Sequence, residues 1–527
     1  GLTGLPSAVF AAGPNGEFAY QTRTGDTLIG IGQALLRRPS DWPILQRLNG
    51  VVDPYRMPTG ALVRIPVRLL QSDVAPIQVI AASGEARVGK ERLDAGMKIA
   101  EQQELATDDG GFVTLQLADG SKLTLHPQTR VRTDVLQQYR GSKGLRSRFT
   151  LEGGRIDIQA APQDRAGAQQ ELRMPATVLS VRGTHYRAAA AKTDGRSLAE
   201  VTEGTVAVGG SRASTVRLRQ GYGVTAVRGG VPELPTRLLP APGLNKVLPP
   251  QQRLTLSFPL PSVVGASGYR AQIAEDQAFS RVVAERVVAG PTVKFEAPPD
   301  GDYWLRVRAI DRRGLEGFDA QAPFRIEARP EPPFPSTPAN RGIVRATVLP
   351  FAWSSASSAV SYSFELAADP AFQHKLESAS GITASAHASG ARLEPGNYYW
   401  RVASVDNSGK QGPFGDVQTF ELRPAPPTPA PPDIAGDQVG FSWASEPGQR
   451  FEFEMARDKA FSDLVESRRL EEPRVQLPRP PSGAYYMRVR ATDSDGFVGP
   501  YTATQRFEVP PKPQWWLLLL PLVPALL

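Results

Sequence analysis

Three stretches in the second half of this 527-residue chain repeat one pattern, and nothing else in the sequence limits the fold as tightly. "YRAQIAEDQAFSRVVAE" begins at Tyr269, "YSFELAADPAFQHKLES" at Tyr362 and "FEFEMARDKAFSDLVES" at Phe451. In each, an aromatic opens an alternating strand, an Asp follows (Asp276, Asp369, Asp458), and then a Phe (Phe279, Phe372, Phe461). Downstream stand "GDYWLRVRAIDRRG", "GNYYWRVASVDNSG" and "GAYYMRVRATDSDG". Such self-repetition marks tandem copies of one β-unit.

The alternation in "YWLRVRAI" puts one face into a core and sends the arginines to water. Asp-x-x-Gly supplies the residues a type I turn prefers at its ends. An early strand brings a large core aromatic to each copy: Phe258, Trp353, Trp443. One carboxylate per turn is far from a calcium cage, so turn chemistry accounts for the repeated Asp residues. The copies, over 246–330, 335–424 and 428–510, resemble fibronectin type III modules, which implies immunoglobulin-like β-sandwiches. The proline-rich joints "ARPEPPFPSTP" and "RPAPPTPAPP" read as semi-rigid spacers.

Residues 18–67 follow a different period. A strand runs into Gly25-Asp26-Thr27, where Asp26 or Thr27 can cap a helix carrying Leu28, Ile31 and Leu35 on one face. Pro39-Ser40-Asp41 breaks and recaps the chain before Trp42, Leu45 and Leu48. Asn49-Gly50 then ends the second helix, and "GALVRIP" returns as a strand. "GDTL" at 25–28, "LQRLN" at 45–49 and "GALVRIP" at 60–66 resemble a LysM domain, with Gly32 where that family often carries Ala. The resemblance implies a shallow groove for N-acetylglucosamine polymers. Its walls would be Gly25, Asp26, Thr27 and Leu28 on one side and Val52, Asp53 and Pro54 on the other. For Asp26, helix capping and ligand contact both remain open.

Between these regions, 77–235 reads as a procession of strands with no amphipathic helix. In "GFVTLQLADGSKLTLHPQTRVR", Val113, Leu115, Leu117, Leu123 and Leu125 face inward, and Asp119-Gly120 marks a hairpin. "TVLSVRGTHYRAA", 177–189, breaks the alternation at Arg182-Gly183-Thr184. With "EVTEGTVAV" downstream it resembles a FecR domain, which implies an all-β roll and a periplasmic part in envelope signalling. Name-giving members of that family pair with outer-membrane transducers and a cytoplasmic anti-sigma segment; a LysM-like module upstream departs from that arrangement. Gly183 suits a bulge or close backbone approach, and Arg182 can tie neighbouring carbonyls or a carboxylate such as Glu200 or Glu203. A ligand or partner role for Arg182 and Thr184 is the competing reading.

Composition sets the outer limits. The chain is 41% apolar and 21% charged, with Gly and Pro at 49 each, no Cys and a net charge of +7. Pro at about twice its usual ~5% fits many short strands and joints. The mild, dispersed charge suits an anionic wall or lipid surface; as a nucleic-acid signal it is weak, and no nucleic-acid partner is expected. Four histidines are scattered along the chain, and no nucleophile elbow, zinc spacing or phosphate loop is present. The expectation is therefore no enzyme, no cofactor and no metal site.

The ends complete the reading. Residues 1–17, with Val9 and Ala11 as small residues at a cleavage position, read as the remnant of a secretory signal or as disordered. The tail at 511–527 holds the apolar run Trp515–Leu527, too short for a spanning helix. Its paired Trp suits shallow membrane contact or a docking partner. The expected whole is a multidomain, mainly β protein: a small βααβ LysM module, an all-β FecR-like roll and three sandwiches. It would be a non-enzymatic periplasmic or cell-envelope protein, exported by an N-terminal signal, binding peptidoglycan and an unknown envelope or membrane protein. The alternative is a periplasmic signalling regulator acting through a membrane partner, with wall binding only for location.

Overall fold

A computed structural model describes residues 16–181, 183–191, 194–209, 215–426 and 428–512. Arg182, the signal remnant around Val9 and Ala11, and the Trp515–Leu527 tail lie outside the described residues. The chain divides into two compact units, Gly1–Glu327 and Ala328–Leu527. Strands dominate both, and only two α-helices occur among the described residues.

Those helices, Leu28–Leu35 and Trp42–Asn49, lie between the antiparallel strands Glu17–Gln21 and Leu62–Pro66. Thr27, not Asp26, caps the first helix: its Oγ1 accepts the Gly30 N–H at 2.9 Å. Asp41 makes no side-chain cap bond to the second helix, which a short 3-10 turn, Pro39–Asp41, leads into instead. Gly50, at φ +63°, ends it in the left-handed conformation that glycine adopts without a Cβ penalty. Leu28, Ile31, Leu45, Val63 and Ile65 form the core. A Cβ on Gly32 would stand 2.9 Å from Trp42 Cβ, so the two helices approach more closely than an Ala there allows. The module is seated on the roll behind it, with Val67, Leu70 and Tyr139 packed into the same cluster.

From Ser72 to Arg237 the strands hydrogen-bond into one closed barrel. Its interior is mostly aliphatic, with Phe149 and Tyr186 among the buried residues, and Val113, Leu115, Leu117, Leu123 and Leu125 all belong to that core. Ser121 N–H donates to Asp119 Oδ1 in the hairpin that joins Phe112–Gln116 to Lys122–Leu125.

Each repeat is a small sheet facing a larger one. In the first, Thr255–Pro259 pairs with Thr292–Glu296, opposite Val282–Val288, Gly268–Ala274, Gly301–Ile310 and Ala320–Ile326. In the third, residues of both sheets, among them Phe441, Trp443, Phe453 and Val489, share one core. The repeated Asp side chains cap turns: Asp369 accepts the N–H groups of Ala371, Gln373 and His374, and Asp458 those of Ala460, Ser462 and Asp463. The Phe of each motif has a left-handed backbone, at φ +53°, +56° and +59°. An arginine covers each ring at 4.0–4.1 Å: Arg306 on Phe279, Arg401 on Phe372, Arg488 on Phe461.

One expectation needs correction. The arginines of "RVRA" do not all face water. In the first repeat Arg306 and Arg308 are buried, because the barrel covers the outer face of their sheet. In the third, Gly483–Thr492 keeps the alternation of a half-exposed strand. Repeats two and three also meet directly: Arg345 pairs with Glu446 and Asp493, and Arg423 with Asp493 and Asp495. Their proline joint is thus bridged by ion pairs.

Candidate functional site

Two places concentrate chemistry in the first unit. The first is on the N-terminal module. The loop before the first helix and the loop after the second meet where the Leu28 N–H donates to Pro54 O at 2.8 Å. Gly25 turns at φ +89° with open space where a side chain would stand. Asp26 Oδ2 accepts the Arg23 N–H and the Tyr20 hydroxyl, so it fixes the turn. Thr27 is committed to its cap, and Leu28 is buried. Asp53 Oδ1 accepts the Tyr55 N–H. Val52 and Tyr55 stand 95% and 69% exposed. The fold therefore brings 25–28 and 52–54 together, with exposed apolar side chains beside them.

The Val181–Thr184 interruption is a passage between sheets. Strand Val178–Val181 pairs with Gln169–Arg173 and Thr205–Gly209, whereas His185–Ala190 pairs with Leu145–Gln159 and Ser197–Glu203. Gly183 makes the bend at φ +56°, and a Cβ there would lie 3.0 Å from Pro162 Cα. Thr184 is buried and its carbonyl accepts the Ala160 N–H at 3.0 Å. Gly204, from the downstream Glu-Gly-Thr-Val, packs against Thr184 so closely that a Cβ would meet its Cγ2 at 2.5 Å. The two halves of the motif are thus in contact.

The second place went unread in the sequence. Just past the bend, Arg187 enters a buried charge network between the barrel and the first repeat. The barrel supplies His126, Arg155, Asp157, Arg187 and Glu200; the repeat supplies Arg270, Glu285, Arg306, Arg308, Glu316 and Asp319. Arg308, 2% exposed, donates to Asp157 at 2.6 Å, Asp319 at 2.5 Å and Glu316 at 3.2 Å. Glu200, which the sequence offered to Arg182, is held by Arg155 and Arg187 and also accepts the Glu316 N–H. Arg187 further caps the carbonyls of Glu316 and Gly317 at 2.6 and 2.7 Å. His126, 1% exposed, sets Nε2 3.0 Å from Asp157 and Nδ1 2.8 Å from Glu285. Phe112, Phe279 and Val282 pack beside these charges.

Electrostatics follow from that geometry. Burial pulls the His126 pKa down, but the Asp157 and Glu285 carboxylates more than reverse this and hold it above its ordinary value. Burial alone would raise the Glu285 carboxyl, yet His126 and Arg270 bring it down to about 2. Asp157 and Glu316 are likewise held well below the usual carboxylate range by the arginines around them. Arg306 goes the other way: burial and then Arg308 lower it to about 10. No strand pattern betrayed this network, because outward charges on a strand look the same whether water or another domain covers them. Among the described residues no group of three His, Cys, Asp or Glu side chains is placed to hold a metal ion. Nor is any described helix long and apolar enough to cross a membrane.

Comparison with known proteins fits the barrel. The FecR protein family profile matches residues 103–207, which contain the bend and all five barrel residues of the network. No curated protein matches the chain. Among solved structures, an anti-sigma-factor candidate from Parabacteroides distasonis ATCC 8503 is 18% identical over 25% of this chain, with a TM-score of 0.22. The match spans 59% of that protein's length. The FN1-FN3 domains of chicken CNTN1 are 16% identical over 51% of this chain and 98% of theirs, with a TM-score of 0.20. The chicken interferon gamma receptor alpha chain is 14% identical over 35% of this chain and all of its own, with a TM-score of 0.20. What the comparisons establish is a FecR domain at 103–207.

Proposed function

We propose that this protein is a non-enzymatic, signalling component of the bacterial cell envelope. Its FecR domain engages an envelope or membrane protein, and residues 18–67 act as a LysM domain that holds peptidoglycan. The observation that carries the reading is the FecR match over 103–207, a domain of envelope signalling. The wall-binding half rests on the juxtaposed loops 25–28 and 52–54, where backbone groups and small side chains can meet acetamido groups. At ~0.5–1.5 kcal/mol net per hydrogen bond, one such groove binds weakly, and a polymeric wall retains the protein by offering many sites. The three repeats, read as fibronectin type III-like modules, act as spacers, and Trp515–Leu527 contributes a shallow membrane or partner contact.

The test is co-sedimentation of the full chain with purified peptidoglycan sacculi, beside a Val52→Glu/Tyr55→Ala variant. Pelleting of the parent with loss of pelleting in the variant supports the reading. Equal pelleting of both, or of neither, overturns its wall-binding half. Deleting 72–237 should abolish an envelope-stress transcriptional response in cells; an intact response would remove the signalling half.

A further inference from the structure

The last strand of each repeat stands at one rim of the larger sheet, and the segment leading into the repeat decides whether that rim is closed. In the first repeat Gln251 bridges to Ile326 in parallel, its N–H donates to Arg325 O at 2.8 Å, and Leu248 N–H donates to Pro323 O at 3.0 Å. In the second, Gly342–Val344 runs parallel to Gln418–Leu422, and Arg341 N–H donates to Thr419 O at 2.6 Å. In the third, the leading segment stays on the smaller sheet: Ala430 N–H donates to Ser442 O, and Asp433–Ala435 pairs with Gln438–Ser442. Pro431 and Pro432, between them, have no N–H to give. Gln505–Val509 therefore pairs with Gly483–Thr492 on one side, and no described strand pairs with its other side. Pro429 O takes the Gln505 side-chain amide at 2.7 Å, at the end of the strand away from Pro510.

Register identifies which backbone groups face out. Gly301, Gly396 and Gly483 stand opposite Ile326, Leu422 and Val509, so Arg506 corresponds to Pro323 and Thr419, and Glu508 to Arg325 and Glu421. Pro323, Arg325 and Thr419 turn their carbonyls to the covering segment. By the same register, Arg506 and Glu508 turn theirs out of a bare rim, and an uncovered strand edge is a template for another strand. Their side chains, 55% and 69% exposed, flank the buried Phe507 and pair with each other at 2.7 Å. In an antiparallel pairing of two copies about a twofold axis at Phe507, Arg506 of each stands opposite Glu508 of the other. Both cross-strand pairs then join opposite charges, and each pair exchanges N–H···O bonds in both directions. The rim is thus complementary to itself, as a twofold contact requires.

We propose that two copies of this chain pair through Gln505–Val509, continuing the larger sheet of the third repeat across a twofold axis. A rim of 5 residues is small beside the ~1,200–2,000 Å² of a stable interface, so the dimer is weak and reversible. Paired copies carry two N-terminal modules, and weak binding to a polymer gains avidity that way. That consequence rests on the wall-binding reading; the pairing itself does not.

The experiment is sedimentation velocity of the full chain over a range of concentrations, beside charge-inverted variants. The parent's average mass should rise from one chain towards two. Arg506→Glu sets Glu opposite Glu, and Glu508→Arg sets Arg opposite Arg, so each should weaken association at least about tenfold. The double variant Arg506→Glu/Glu508→Arg should restore it, and an equimolar mixture of the two single variants should form the mixed dimer. Both side chains are exposed, and the double variant shows that a loss in the single ones is not misfolding. A parent still monomeric at about 0.5 mM, where even a weak transient contact is populated, overturns the proposal. So does a dimer indifferent to these inversions, which lies elsewhere on the chain. Slow exchange of the Arg506 and Glu508 amides in a monomer overturns it too, because a segment of the same chain then covers the rim.

Discussion

Arg308 and Arg490 occupy the same place in the "RVRA" motif of the first and third repeats, yet the structure assigns them very different energies. Arg308 is 2% exposed and faces Asp157, Glu316 and Asp319. Arg308→Met keeps much of the volume but leaves the buried Glu316 and the partly exposed Asp157 and Asp319 short of a cation. Removing one partner of a buried pair costs about 3–5 kcal/mol. Arg490 has a side chain 34% exposed and is engaged by Glu452. An exposed pair is worth about 0.2–1 kcal/mol, so Arg490→Met should be nearly silent. Amide hydrogen exchange of the full chain separates the two. Since 1.4 kcal/mol is about a tenfold change, Arg308→Met should speed exchange by at least about 100-fold. The effect should appear in Gly301–Ile310 and in the facing barrel strand His185–Ala190. Arg490→Met should stay within about fivefold in Gly483–Thr492. Equal effects of the two substitutions would refute the idea that burial under the barrel sets the difference.

Other expectations follow from single contacts. Gly32→Ala should lower stability by about 1 kcal/mol net: overpacking against Trp42 costs ~1–3 kcal/mol and improved helix propensity returns ~1. Stabilisation in a urea titration would contradict the close approach. Gly183→Ala, at φ +56°, should cost about 1–2 kcal/mol; an unchanged melting temperature would argue against the left-handed bend. The joint should also be pH-dependent on both sides. His126 has a raised folded pKa, so its contribution is complete below its ordinary 6.5 and is lost as pH rises through the folded value. Glu285 is depressed to about 2, so its contribution is complete above the ordinary 4.5 and is lost as pH falls towards 2. Melting of the first unit should therefore weaken on both flanks, and His126→Gln should remove the alkaline one. A variant with the parent's alkaline profile would show that His126 does not titrate there.

Much of the fold was legible because it rests on local pattern. Alternation placed Leu115, Leu123 and Leu125 inside the barrel, and Asp-x-x-Gly located the repeat turns. Glycine at 50 marked the end of the second helix. Legibility failed where a second surface intervenes. Arg306 and Arg308 sit in a strand that reads as half-solvated, and only the barrel's face makes them interior. His126 and Glu285 lie 159 residues apart, so no spacing links them. Capping was legible to within one residue: Asp26 and Thr27 are both good caps, and Asp26 is drawn off by Tyr20 and the Arg23 amide. The bend at Gly183 was legible as a break in alternation. Its purpose, moving the chain from one sheet of the barrel to the other, belongs to long-range pairing that one segment does not encode.

The most direct test of wall attachment is hydrogen exchange of the full chain with and without solubilised peptidoglycan fragments. The account predicts added protection confined to the loops at 25–28 and 52–55, with the barrel and the repeats unchanged. Protection elsewhere, or none in those two loops at saturating fragment, would contradict it.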